Sequence, residues 1–318
     1  MISPAPQQRA PAAITVVYIA GSGRSGSTLL ERALGEIPGF VNVGELIDLF
    51  RRDASRAERC GCGQPFAGCE FWDGIGKRAF GGWGSAQSAE IHPLQRRVAR
   101  QRAMPGLAAL PLAGRGFRAG AARYGACYAA LYQAICEQAG AGRVVDASKW
   151  PVQALALWRG GIDVRVIHLV RDVRGVAHSL TKRARRPAAT AARWVLHESQ
   201  AALLRRCGPP FTRVRYEDFV RAPRHTIETA LAELGLADPA PRLDHLTGTH
   251  VTLHPSHGIH GNPSRWQHGE IALRPDETWR QRMPRRDRVL VTAIGLPFLL
   301  RYGWRPRLRH ALGRGAGH

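Results

Sequence analysis

Lysine is almost missing from this chain. Of 46 basic residues only Lys77, Lys149 and Lys182 are lysine, so the formal charge of +22 over 318 residues rests on arginine. Such a bias can follow from nucleotide composition as well as from an anionic partner, and by itself it only permits anionic ligands. Long apolar runs are also absent. The longest, Val289 to Leu300, is broken by Thr292, Gly295 and Pro297 and is too short to span a bilayer. The first fourteen residues lack a charged start followed by an apolar core, so no signal peptide is read there and a cytoplasmic location is expected. Six cysteines in a chain this long do not make a disulfide scaffold. No stretch resembles a nucleic-acid recognition module, which leaves a nucleic-acid partner unsupported despite the charge. Nothing in the sequence bears on oligomeric state.

What is present is centred on Thr15 to Leu34. The apolar, β-branched run Val16 to Ala20 reads as a buried strand. It runs into GSGRSGST (21–28), and beyond it Leu29, Leu30, Ala33 and Leu34 recur at helical spacing. A strand, a glycine-serine loop and a helix aim backbone N–H groups and a helix dipole at one point, which makes a phosphate cradle. Gly21 and Gly26 fit the frame of the nucleotide-binding GxxxxGK[ST] loop, but Ser27 stands where the lysine belongs and the only cation is Arg24. A magnesium-nucleotide loop is therefore disfavoured, and a turn without a ligand remains the plain alternative.

Further along, Phe40 to Val43 reads as a second strand ending at Gly44-Glu45. Strands are also expected at Arg143 to Asp146, Val164 to Val170 and Phe211 to Tyr216. Helices are expected from Phe117 to about Ala139, from Pro151 to Trp158, through His178, from about Ala189 to Arg206, and from Pro223 to Leu234. A long loop containing HGIHGNPSRW follows, then helical segments at Asp276 to Arg282 and Arg286 to Tyr302. Alternating strands and helices imply an α/β fold with a mostly parallel sheet. The expected organisation is a leader over 1–14, one domain over 15–302 with a loop-rich insertion at about 51–116, and a basic tail over 303–318. In the insertion, Cys60, Cys62 and Cys69 match none of the usual CxxC knuckles. They are expected to be packed or incidental. Were they metal ligands, a distant residue such as His92 would be the fourth.

Two stretches together indicate a class. GSGRSGST after the first strand and VIHLVRDVRGVAHS (166–179) after a later one resemble the 5'-phosphosulfate loop and the 3'-phosphate motif of sulfotransferases that use 3'-phosphoadenosine 5'-phosphosulfate. The resemblance is closest to the branch that includes bacterial and tyrosylprotein enzymes. VGEL (43–46), VVDASK (144–149), RYEDFV (215–220) and GNPSRW (261–266) follow in family order, so it extends over about Thr15 to Tyr302.

The resemblance implies a P-loop NTPase-like three-layer fold, and a reaction in which a sulfuryl group passes in line to a hydroxyl or amine. It implies the phosphosulfate nucleotide as cosubstrate and no metal. Gly21, Ser22, Gly23, Arg24, Ser25, Gly26, Ser27 and Thr28 would cradle the 5'-phosphosulfate. Arg171 and Ser179, eight residues apart, would take the 3'-phosphate. Tyr216 would lie near the adenine, with a core tyrosine as the alternative, and Asn262, Arg265 and Arg274 would belong to a loop folding over the nucleotide. Glu45 is the candidate general base, with a helix cap as its plain reading. Arg24 and Lys149 would stabilise the leaving phosphate. His168 is expected to be a packed core histidine. The acceptor is open among carbohydrate, lipid, phenol, peptide and small metabolite, and is expected to contact the insertion. The rival readings are an ATP-using kinase or nucleotide hydrolase, and a silent binder of nucleotide or nucleic acid.

Overall fold

The computed structural model describes residues 14–50, 58–181, 185–237 and 240–304. The leader expected at 1–14, apart from Ile14, the first seven residues of the expected insertion and the tail beyond 304 lie outside them. The strands are β1 (Thr15–Gly21), β2 (Phe40–Gly44), β3 (Arg143–Lys149), β4 (Asp163–Val170), β5 (Phe211–Arg215), β6 (Leu246–Thr247), β7 (His250–Leu253) and β8 (Gly269–Ala272). The longer helices are α1 (Ser27–Gly35), α2 (Glu70–Phe80), α3 (Ala86–Val98), α4 (Arg115–Ala139), α5 (Pro151–Arg159), α6 (Val173–Thr181), α7 (Pro187–Arg206), α8 (Pro223–Glu233) and α9 (Arg285–Arg301).

β1 is buried along its whole length, as a central strand covered on both faces must be. Its side chains alternate. Val16, Tyr18 and Ala20 join a core with Tyr124, Tyr128 and Leu155 from α4 and α5. Val17 and Ile19 join one with Leu30 and Leu34 of α1 and Ile227 and Leu231 of α8. The result is three layers, with a mixed cluster of α6, α7 and α9 residues packed beyond the end of β4.

The five-stranded sheet has the order β2-β3-β1-β4-β5, and every pairing in it is parallel. The α1 crossover therefore does not make β1 and β2 neighbours, because β3 is inserted between them. Register sets the carboxyl ends side by side, with Ala20 opposite Lys149 and Gly21 opposite Leu169. In open α/β sheets this is the edge where ligands bind.

Two regions differ from the sequence reading. The stretch after α8, expected as a long loop, contains a small antiparallel sheet of order β6-β7-β8. Its strands are two to four residues long, too short for alternation to register. The insertion is more helical than expected, since α2 pins Trp72 and Ile75, and α3 pins Ile91 and Val98, in the main core.

Candidate functional site

At the carboxyl edge of the sheet lies a cavity of about 740 Å³. One wall is the β1–α1 loop. Ser25 Oγ donates to Ser22 O at 2.6 Å, and Gly26 caps α1 with φ of 94°. A Cβ at Gly26 would collide with the Tyr216 ring, so both the conformation and the close approach require glycine. Ser22, Gly23, Arg24, Gly26, Ser27 and Thr28 reach the lining, while Gly21 and buried Ser25 shape the loop from behind.

Glu45 and Lys149 also line it, joined as an ion pair whose side chains are largely buried. Glu45 does not cap a longer helix. It precedes a single 3-10 turn, Leu46–Asp48, and its side chain makes no cap. It leaves β2 through Gly44, whose φ is 82° and where a Cβ would collide with the carbonyl of Ile259. Lys149 is aimed by the end of β3. Buried Asp146 accepts from Tyr132 Oη at 2.7 Å and from Ser148 N at 2.9 Å, and Ser148 Oγ accepts from Ile47 N at 3.0 Å. Burial raises the Asp146 carboxyl to about 6, against the lowering effect of those hydrogen bonds.

Backbone strain converges on this cavity. The non-glycine residues with positive φ among the described ones are Arg24 (70°), Lys149 (70°) and His260 (58°), and all three line it. Left-handed backbone costs a non-glycine residue about 1–3 kcal/mol and persists only where the surroundings impose it, which makes such residues pointers to function.

The two motifs meet through Arg24 and Ser179, which are 155 residues apart in sequence. Arg24 Nε donates to Ser179 Oγ at 2.9 Å, and Arg171 Nη1 donates to Arg24 O at 2.9 Å. Arg171 is buried and lies over the Tyr216 ring, 4.6 Å from its centroid. Its Nη2 donates to the Asp276 carboxylate at 2.9 Å. Burial would raise the Asp276 carboxyl, but hydrogen bonds from Thr278 and Arg171 and the Arg171 charge hold it at about 2. Tyr216 packs between Gly26 and Arg171 and donates to Arg274 O at 3.3 Å. Arg171, Ser179, Tyr216 and Arg274 thus lie beside the cavity and not on its lining, and Arg274 is exposed.

The late segment closes the other side. Asn262 lines the cavity, but its Oδ1 accepts from Ser264 N and caps the turn Pro263–Trp266. Arg265 is paired with Glu58 of the insertion. Glu58 is the insertion residue that reaches the lining among those described. The sequence reading missed Asp48, Glu58, Arg185, Arg186, Arg193, His197 and His260, all of which line the cavity. The RARR run at 183–186 was the available signal for Arg185 and Arg186. Burial lowers the imidazole pKa of His260, which faces Glu58, and that of His197, whose Nδ1 lies 3.1 Å from Gly21 O. His168 lies buried on β4, with Nε2 3.0 Å from Glu198.

The sequence-predicted fourth ligand of the cysteines is corrected. His92 lies on α3, whereas Cys60, Cys62 and Cys69 gather around His257, their ligand atoms all within 4.8 Å of one another.

The carboxyl edge of a parallel α/β sheet thus carries a glycine-serine loop and, beside it, a buried arginine. The family model described as "Sulfotransferase family" matches residues 17–240, and the chain belongs to that family. It is accordingly a transferase enzyme, of a family that generally takes 3'-phosphoadenosine 5'-phosphosulfate as donor. The sulfotransferase domain from the curacin biosynthetic pathway is similar in fold, at 17% identity and a TM-score of 0.50, covering 94% of this chain and 99% of the other. The sulfotransferase domain from the Synechococcus PCC 7002 olefin synthase gives 21% identity and a TM-score of 0.48, covering 93% and 98%. No curated protein matches the sequence. Among the described residues, no helix is long and apolar enough to cross a membrane.

Proposed function

We propose that this chain transfers the sulfuryl group of 3'-phosphoadenosine 5'-phosphosulfate to a hydroxyl or amine that enters beside Glu45. The observation that carries the reading is the Arg24–Ser179 hydrogen bond together with the Arg171–Arg24 one. They put the loop that would cradle the 5'-phosphosulfate in direct contact with the residues that would take the 3'-phosphate, so that one nucleotide with two anionic ends could reach both. The loop N–H groups and Arg24 would hold the 5'-phosphosulfate, and charge building on the bridging oxygen would be met by fixed donors. Arg171 and Ser179 would bind the 3'-phosphate, with Asp276 displaced from Arg171 as it arrives.

Glu45 would take the acceptor proton. The carboxylate begins paired with Lys149; as the acceptor enters, Lys149 turns to the transferring group and Glu45 accepts the proton. No step calls for a divalent cation. The acceptor would enter among Asp48, Glu58, His260, Arg185, Arg186 and Arg193, all of which line the cavity. Those charged groups of both signs suit a hydroxylated or amino metabolite better than a lipid chain.

The test is transfer of labelled sulfate from the nucleotide to an acceptor extract, with and without a magnesium chelator. Transfer is expected to survive chelation. Arg24→Ala should lower it by roughly 10²–10³-fold. Glu45→Gln should lower turnover by roughly 10²–10⁴-fold while binding of adenosine 3',5'-bisphosphate is kept. A strict magnesium requirement with ATP as donor sinks the reading, and unchanged turnover in Glu45→Gln removes Glu45 as the base.

A further inference from the structure

Outside the cavity, the group of metal-ligating side chains that converges among the described residues is the one the sequence spacing made look incidental. Cys69 Sγ lies 3.6 Å from Cys60 Sγ and 3.8 Å from Cys62 Sγ. His257 Nδ1 lies 3.4 Å from both Cys60 Sγ and Cys69 Sγ. Tetrahedral zinc, with Zn–S of about 2.3 Å and Zn–N of about 2.0–2.1 Å, sets its ligands about 3.8 Å apart for two sulfurs and about 3.6 Å apart for sulfur and nitrogen. Packing of thiols for its own sake would not point an imidazole nitrogen at two sulfurs at once. A thiol hydrogen bond or a disulfide would organise one pair and leave the others without a reason to converge.

We propose that Cys60, Cys62, Cys69 and His257 bind one structural Zn²⁺ ion, which staples the start of the insertion to the loop that closes the cavity. Three sulfurs and one nitrogen in a tetrahedral arrangement suit zinc among the common divalent ions. Because the protein supplies all four ligands, no position is left for water or substrate, and the role is structural rather than catalytic.

The surroundings are those of a built site. Cys60 and Cys69 are buried. The chain turns tightly between them, with Cys60 N donating to Gln64 O at 2.8 Å and Gly63 N to Cys60 O at 2.9 Å. The imidazole of His257 stacks on Phe71, with centroids 4.3 Å apart and planes at 9°. Its carbonyl accepts from Trp72 Nε1 at 2.9 Å. Both aromatic residues directly follow the Cys69-Glu70 step, so the element that presents the third cysteine also orients the histidine. A cleft lined by Cys62, Cys69 and His257 gives an entry path. On binding, the thiol protons leave to solvent and the sulfurs coordinate as thiolates, so affinity falls as pH falls.

The consequence reaches the cavity through the backbone. Gly61 N donates to Gly258 O at 2.9 Å, Ile259 N to Val43 O at 3.0 Å, and Glu45 N to Ile259 O at 2.9 Å. Trp266 Nε1 donates to Cys60 O at 3.2 Å. The ion thus sits one short segment away from His260, Gly261 and Asn262, and fixes where they stand relative to Glu45. The inference stands on these four ligands and does not rest on the identity of the donor or acceptor.

Elemental analysis of the purified full-length protein tests it. About one zinc per chain is expected, retained through dialysis. Replacement by Co²⁺ should give the intense visible bands of a tetrahedral thiolate site. Cys62→Ser and His257→Ala should lower bound zinc about tenfold or more and lower the melting temperature, while His257→Cys, which restores four ligands, should keep the metal. Folded protein that takes up no zinc even on incubation with excess Zn²⁺ overturns the proposal. So does iron in place of zinc, a disulfide among the three cysteines in protein isolated without reductant, or full zinc content in His257→Ala.

Discussion

Arg171 shows how a single side chain can be held ready for a ligand. A buried guanidinium needs partners on its N–H groups, and here it has the carbonyl of Arg24, the carboxylate of Asp276 and the ring face of Tyr216. Asp276, nearly half exposed, is the part of this set that can leave. Holding the Asp276 carboxyl at about 2 keeps it ionised at any physiological pH, so it would compete with the proposed 3'-phosphate for the same donors. Asp276→Asn is expected to tighten binding of adenosine 3',5'-bisphosphate about two- to fivefold, the scale of a partly exposed ion pair. Calorimetric titration checks it, and weaker binding would mean that Asp276 positions Arg171 instead of competing for it.

At the scale of elements, α1 does more than end the glycine-serine loop. Its buried Glu31 accepts from Gly44 N at 2.6 Å and from Asn42 Nδ2 at 3.2 Å, fixing the end of β2 just before Glu45. Its buried Arg32 donates to the carbonyls of His254 at 2.9 Å and Ser264 at 3.1 Å, and also to that of Gln267. One helix therefore ties together the cradle, the carboxylate strand and the closing loop. Arg32→Ala leaves those carbonyls short of a charged donor and is expected to cost about 2–4 kcal/mol in urea unfolding, with weaker nucleotide binding from a loosened 254–267 segment. Both acidic and basic partners were visible in STLLERALG, but as ordinary helix polar positions. Nothing in a helical pattern tells that a Glu and an Arg will point inward at strand ends and loop carbonyls.

For the molecule as a whole, the buried carboxyls set how stability depends on pH. Burial raises Glu31 to about 7 despite hydrogen bonds from Gly44 and Asn42, and Asp146 to about 6. A carboxyl raised on folding binds its proton more tightly in the folded state. Its contribution is complete below the unfolded value, near 4.5 for Glu31, and is lost as pH rises through about 7. Stability is therefore expected to fall between about pH 4.5 and pH 7 by up to about 3 kcal/mol on account of Glu31, from a shift of that size at about 1.4 kcal/mol per unit. Glu31→Gln should flatten that part of the profile in urea unfolding across pH. A profile unchanged by the substitution would assign the proton elsewhere.

Much of this enzyme is determined locally and is legible in the residues. The β-branched run at 16–20, the GSGRSGST turn and the 3.6-residue recurrence after it specify strand, cradle and helix from neighbours alone, and the five parallel strands and the main helices follow the same rule. Glu45, Lys149, Arg24, Arg171 and Ser179 could be named because the motifs that carry them resemble those of the sulfotransferase family; of these, Arg24, Glu45 and Lys149 line the cavity and Arg171 and Ser179 lie beside it. Tertiary structure decided the rest. It set β3 between β1 and β2, formed a second sheet from strands too short to show a period, and turned Asp276 onto Arg171. It also chose His257, nearly two hundred residues from Cys60, over His92 as the partner of the cysteines. Sequence periodicity reports which face of an element is buried, because burial repeats with the backbone. It carries no record of which distant face will be met there, since that depends on how the packed layers close over the edge of the sheet.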